Sequence, residues 1–318
     1  MRNYLVRRAA QALFVLWAAY TVSFGVLYVL PGDPVVIMAA GGGDASSVTP
    51  AQIAELRTRY GLDRPVPEQY AIGLWHAVRG DFGTSVHSGQ PVTRMIADVL
   101  PATLQLAAGA LLLALPLGCA VALVGTGTRR RWLRQLVLSL PAAGVSAPTF
   151  WVGLILVQLV SFRWGLVPAF GNEGWRSLVL PSVTLALPAA GLVAQVFAKS
   201  LRTALAEPYV DTARAKGAGR TRVHVGHAAR NALAPPLTVA GVLVGGVLAG
   251  SVVVETVFSR TGVGRLTATA VTTQDIPVVQ GLVVLGACAY VAVNLAVDVV
   301  LPLIDPRIAA TDRPAVTA

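Results

Sequence analysis

Residues 99–128 read VLPATLQLAAGALLLALPLGCAVALVGTGT, thirty positions in a row without a charged side chain. At 1.5 Å per residue, about 20 such residues cross the roughly 30 Å of hydrocarbon in a bilayer. Lipid offers no partner to backbone N–H and C=O groups, so a run of this kind satisfies them within itself by coiling into a helix. Five more charge-free runs are long enough: 9–32, 135–162, 177–198, 231–254 and 276–297. The next longest, 82–93, is too short to cross. The expectation is an all-α integral membrane chain. Its six transmembrane helices are predicted at 9–30, 101–126, 135–160, 177–198, 232–256 and 277–300.

Composition agrees. Of 318 residues, 55% are hydrophobic and 13% charged, against roughly 25% charged in soluble domains. Mean hydropathy is +0.66. The first run follows Arg2, Arg7 and Arg8, as a signal peptide would, but it is longer than a signal core and no small-x-small cleavage site follows it. The net charge of +10 would suggest nucleic acid in a soluble protein. Here the cations sort by side. With the N-terminus inside, the cytoplasmic segments hold 16 Lys and Arg and the opposite segments 9, in more residues. This bias predicts both termini in the cytoplasm, with the cations meeting anionic membrane lipid and no nucleic acid. Cys119 and Cys288 sit inside apolar runs without metal-ligand spacing, so both read as core-filling.

Two segments between runs are long. In the outer one, 31–98, Thr49 with Gln52 matches a capping box and Pro50 suits a first helical position. Ile53, Leu56 and Tyr60 then share a face, and Gly61 is the stop. A second helix is predicted over 67–79, showing Tyr70, Leu74 and Val78 on one side and ending at Gly80. Together they read as a small helical extracytoplasmic subdomain over the outer mouth.

The other long segment, 199–230, reads KSLRTALAEPYVDTARAKGAGRTRVHVGHAAR and carries seven Lys or Arg against two acids. Leu201, Leu205, Tyr209, Ala213 and Lys216 fall near helical spacing, and Gly217 and Gly219 break the run. Within it, Glu207, Tyr209, Asp211, Thr212, Ala213, Arg214, Ala215, Lys216 and Gly217 read as one exposed peg. Small residues let another surface approach, Asp211 suits a helix start and the cations its end. Gly217 can take positive φ and stop the helix sharply. These features alone fit equally a basic inner loop that only meets lipid.

The peg resembles the cytoplasmic coupling (EAA) loop of ABC-importer permeases, whose pattern is an acid, two small residues, three more, then Gly. Asp211, Thr212, Ala213 and Gly217 fill it, with Asp for Glu and Thr for Ala as departures. DTARAKG is similar to the dipeptide/oligopeptide branch, B-type permease. So are LPGDP at 30–34, GDFG at 80–83, LPATL at 100–104, LPSVTL at 180–185, RNAL at 230–233, VETVF at 254–258 and DPR at 305–307. Thr261 stands where that family usually has Pro. The resemblance implies one half of a type I importer in the bacterial plasma (inner) membrane. It would work with a second, non-identical permease subunit, two cytoplasmic ATP-binding subunits and an extracytoplasmic substrate-binding protein. Peptides are the implied cargo. The chain itself is expected to be no enzyme and to need no cofactor or metal, since no G-x-x-x-x-G-K-[ST] loop, metal motif or paired-carboxylate set is present. No substrate-binding residue stands out. The tail, 303–318, is expected in the cytoplasm.

Some residues carry a second reading. Glu255 and Asp298 lie at run edges and read as anchors or helix-pairing groups, with gating as the alternative. His224 and His227, three apart, could ligate a metal but read better as a wet basic face. Pro116, Pro141, Pro148, Pro181 and Pro188 predict kinks, and Gly241, Gly245, Gly246 and Gly250 predict close helix packing. A secondary transporter would need ionisable groups at the bilayer midplane, and the six runs hold none.

Overall fold

The computed structural model describes residues 2–29, 49–59 and 63–304. Its described residues form helices α1 (Arg2–Val29), α2 (Pro50–Arg59), α3 (Val66–Val78), α4 (Val92–Gly127) and α5 (Arg131–Ser146). They continue as α6 (Thr149–Leu156), α7 (Arg176–Leu205), α8 (Pro208–Ala215), α9 (Ala234–Val257), α10 (Val263–Thr272) and α11 (Ile276–Ile304). Two seven-residue π-helical turns, Val157–Arg163 and Arg222–Ala228, extend this set.

Among the described residues, α1, α4, α7 and α11 are each long and apolar enough to cross a membrane. A fifth candidate is α5 with the Thr149–Arg163 segment, bent by 103°. The fifth charge-free run holds α9, 24 residues long. The range 135–160, read above as one span, is thus two helices. The cause is local: Pro148 precedes α6, and Ala147 before it is extended (ψ 127), because a residue preceding proline is driven out of the α region. Pro141, Pro181 and Pro188 are carried inside their helices.

The chain divides into two compact units. Among the described residues, 104–260 and 292–304 form the larger one. Its axis is α7, most of whose apolar stretch is buried, with α5, α6 and α9 packed on it. The core joins Leu106, Ala110 and Ala114 to Leu185, Ala189, Val193, Val254 and Phe258. Lipid is as apolar as leucine, so close van der Waals contact between small residues carries this packing. Gly118 faces Ala190 O and Val193, Gly191 faces Pro141 O, and Gly250 faces Leu185. Gly246 opens outward, and the side of α9 at Gly241 is not described. Cys119 is half-buried, whereas Cys288 is exposed on the isolated chain and fills no core of its own.

The described residues up to 103, with 261–291, form the other unit. Here α3 packs across α1: Tyr70 lies 5.8 Å from the Tyr20 ring and 5.3 Å from Phe24, and its hydroxyl is 2.8 Å from Thr21 Oγ1. Gly73 lets the Tyr20 hydroxyl approach, where any Cβ would collide. The packed face is Tyr70, Gly73, Leu74 and Ala77, while Val78 is 74% exposed. Val78 therefore does not share the face predicted for it. Tyr20 and Phe24 select the stripe of α3 that can reach them. Pro50 does open α2, and Ile53 N donates to Thr49 O. The stop at Gly61 lies outside the described residues, as does the tail from 305. In the same unit Ser85 Oγ donates to Asp275 Oδ2 at 2.5 Å, and Val263 N donates to Thr103 Oγ1 at 2.8 Å.

Candidate functional site: the α8 peg

The helical spacing read over 201–216 crosses two helices. The break falls at Ala206–Glu207, because Pro208 forces Glu207 to extended backbone (ψ 147). Pro208 then opens α8 as its first residue, where its missing N–H costs nothing. Asp211 follows in the first turn, beside the positive end of the helix dipole. Its Oδ1 lies 3.3 Å from Arg214 Nη1, and both side chains are mostly exposed, so the pair adds little.

The far end is a Schellman stop. Gly217 N donates to Arg214 O at 2.9 Å and Ala218 N to Ala213 O at 3.0 Å. This geometry places Gly217 at φ +81, with nothing within 4 Å of where a Cβ would stand. A β-branched side chain there would meet no clash but would strain the backbone by roughly 1–3 kcal/mol.

One side of α8 is anchored. Val210 is 1% exposed and Tyr209 and Ala213 are half-buried. Glu207, Asp211, Thr212, Arg214, Ala215, Lys216 and Gly217 are exposed. Of the short side chains on α8, Thr212 and Ala215 thus face outward, and Ala213 faces partly inward. Sequence reasoning passed over Val210. Its signal was the i, i+3 pairing with Ala213, which marks the inner stripe of a short helix.

The π turn Arg222–Ala228 supports α8 from behind. His224 is buried there, with Nε2 2.9 Å from Thr126 Oγ1 on α4, while Arg220 Nη2 donates to Gly127 O at 2.9 Å. Burial first, and the Arg220 charge second, hold His224 below the ordinary imidazole pKa. The wet-face reading therefore fits exposed His227 but not His224, which ties the loop to the end of α4. No group of three or more His, Cys, Asp or Glu among the described residues could hold a metal ion.

Glu255, read as an edge group, is 1% exposed near the end of α9. Arg260, which sequence reasoning missed, is 2% exposed. Arg260 Nη1 donates to Gly171 O at 2.9 Å and Ser177 O at 3.1 Å, fastening the exit of α9 to the start of α7. Burial pulls the Arg260 pKa below its ordinary value, and the Glu255 charge opposes that pull only in part. The Asp298 side chain lies outside the described set.

The family described as "Binding-protein-dependent transport system inner membrane component" matches residues 93–310, and its N-terminal companion matches residues 1–107. A Brucella suis biovar 1 protein, provisionally named as a peptide transport system permease, is 36% identical over 316 residues, 97% of this chain and 99% of that one. The glutathione transport system permease protein GsiC of Salmonella typhimurium is 36% identical over 308 residues, with 97% and 99% covered. An inward-facing structure of the MetNI methionine ABC transporter aligns with a TM-score of 0.54 at 16% identity, covering 66% of this chain and 96% of that one.

Proposed function

We infer function from one premise: this chain belongs to the family of binding-protein-dependent transport system inner membrane components. It is an integral inner-membrane permease subunit of an ABC importer, and ATP hydrolysis is performed by separate ATPase subunits. Family membership brings ATPase and binding-protein partners with it. The cargo is a peptide or a peptide-like molecule such as glutathione, as in the relatives' names.

The finer reading is ours. The chain pairs with a second, non-identical permease and keeps both termini in the cytoplasm, as the Lys/Arg asymmetry favours. Residues 31–98 then form the outer subdomain, and 199–230 the inner coupling loop. In that loop α8, from Glu207 to Gly217, docks in a cleft of an ATPase subunit and passes its closure to α7. One observation carries this reading: α8 is a short helix fixed at its start by Pro208, at its end by a Schellman stop and on one side by buried Val210, with its other side exposed. A lever of that build transmits displacement, because neither end can yield independently.

The test is Ala215→Trp, which puts bulk on the outward face without touching the inner stripe. In vesicles reconstituted with all subunits, substrate-stimulated ATP hydrolysis and uptake are expected to fall together with ATPase association, while membrane insertion is unchanged. Wild-type uptake, hydrolysis and association would reduce the segment to a basic inner loop.

A further inference from the structure

The larger unit holds a cavity of about 360 Å³ lined by Thr126, Arg134, Arg202 and Leu205. Each polar lining residue stands where an apolar run stops. Thr126 is in the last turn of the 99–128 run, Arg134 immediately precedes 135–162, and Arg202 comes four positions after 177–198. Three runs that end together put the cavity at headgroup depth. Trp132, 61% exposed, adds a residue type that favours this level. Leu136 and Leu140, one and two turns further along the same stripe of α5, are also exposed, as a lipid-facing stripe requires.

Among the described residues, neither Arg134 nor Arg202 makes an ion pair or a side-chain hydrogen bond. They are not spent on the carbonyl end of α4 either, since Arg220 already takes Gly127 O. Two arginines lining one space suit a phosphate oxyanion, which accepts from forked guanidinium donors. Leu205 gives the same space an apolar wall.

We infer that this cavity binds the phosphate of an anionic phospholipid of the cytoplasmic leaflet. Basic pockets between spans on that side take such headgroups by the same physics. Because Arg202 and Leu205 lie in the last turn and a half of α7, just before Glu207, a bound lipid would brace the junction of α7 and α8. The inference rests on the membrane reading of the chain and not on the docking of α8, so it can fail while the docking stands.

The experiment compares the assembled importer carrying R134Q/R202Q with one carrying R129Q/R130Q, which removes equal charge outside the cavity. Retention of phosphatidylglycerol over phosphatidylcholine is read by native mass spectrometry, with a parallel arm in millimolar inorganic phosphate. R134Q/R202Q is expected to lower phosphatidylglycerol retention roughly thirtyfold, and R129Q/R130Q far less. Equal losses in the two variants would reduce the effect to general surface charge and overturn the proposal. Displacement of the lipid by inorganic phosphate would assign the cavity to the free ion instead. Shedding of ATPase subunits by R134Q/R202Q with lipid preference intact would assign the arginines to the ATPase, and would equally overturn it.

Discussion

Helices α3 and α8 are built from the same local instructions and held in different ways. Each has a proline in its first turn, and each ends in a Schellman stop on a glycine, Gly80 at φ +76 and Gly217 at φ +81. Yet α3 has no fully buried residue of its own. It leans on α1 through Tyr70 and leaves Trp75 and Val78 exposed, with Arg79 stacked 4.3 Å over the Trp75 ring. By contrast, α8 sinks Val210 into the chain and shows short or charged side chains outward. Deleting the two γ-methyls of Val210 would cost α8 about 2 kcal/mol. A loosely held helix with large apolar groups suits a rim; an anchored helix with a small outward face suits a tight protein joint.

This contrast breaks most sharply at the two glycines. Gly217→Val and Gly80→Val impose similar backbone strain, roughly 1–3 kcal/mol each. Transport, read as uptake per ATP hydrolysed in reconstituted vesicles, is expected to fall about tenfold or more for Gly217→Val. For Gly80→Val it is expected to stay within about twofold. Gly217→Asn tolerates positive φ and restores most of the loss. Equal effects at both glycines would erase the functional distinction and leave only shared helix chemistry.

A smaller effect sharpens the same point. His224, which fastens the loop behind α8 to Thr126, has its pKa depressed by burial. The folded state therefore disfavours the imidazolium, so the contribution is full above the unfolded value near 6.5 and declines as pH falls below it. Hydrogen exchange in residues 220–230 is expected to quicken as pH drops from about 7 to 5.5, after correction for intrinsic exchange rates. His224→Gln keeps a hydrogen-bonding group and removes that dependence, and exchange around α3 does not follow this titration.

What the sequence revealed and what it hid follow from how far each instruction reaches. The apolar runs were legible because a bilayer demands charge-free length, a property of one segment at a time. Proline and glycine placed α2, α3 and α8 for the same reason: Pro50, Pro208, Gly80 and Gly217 act within one turn. The rest depends on partners distant in sequence. The face of α3 is chosen by Tyr20 and Phe24, so a pattern within 66–78 could not show that Val78 turns away. Thr126 lies 98 positions from His224, and no spacing rule joins them. Arg260 binds carbonyls of Gly171 and Ser177, groups every residue possesses and no sequence advertises. The 103° turn between α5 and α6 begins with Pro148, a visible signal, but the common partner of both arms, α7, lies further along the chain.

The docking of α8 on an ATPase subunit is tested most directly by proximity. A maleimide–diazirine reagent can be placed at Ala215→Cys, and separately at Val78→Cys, in an assembled importer lacking Cys119 and Cys288. Illumination is expected to yield an adduct between this chain and the ATPase subunit from position 215 and none from position 78. An intact complex in which position 215 gives no ATPase adduct would contradict the account.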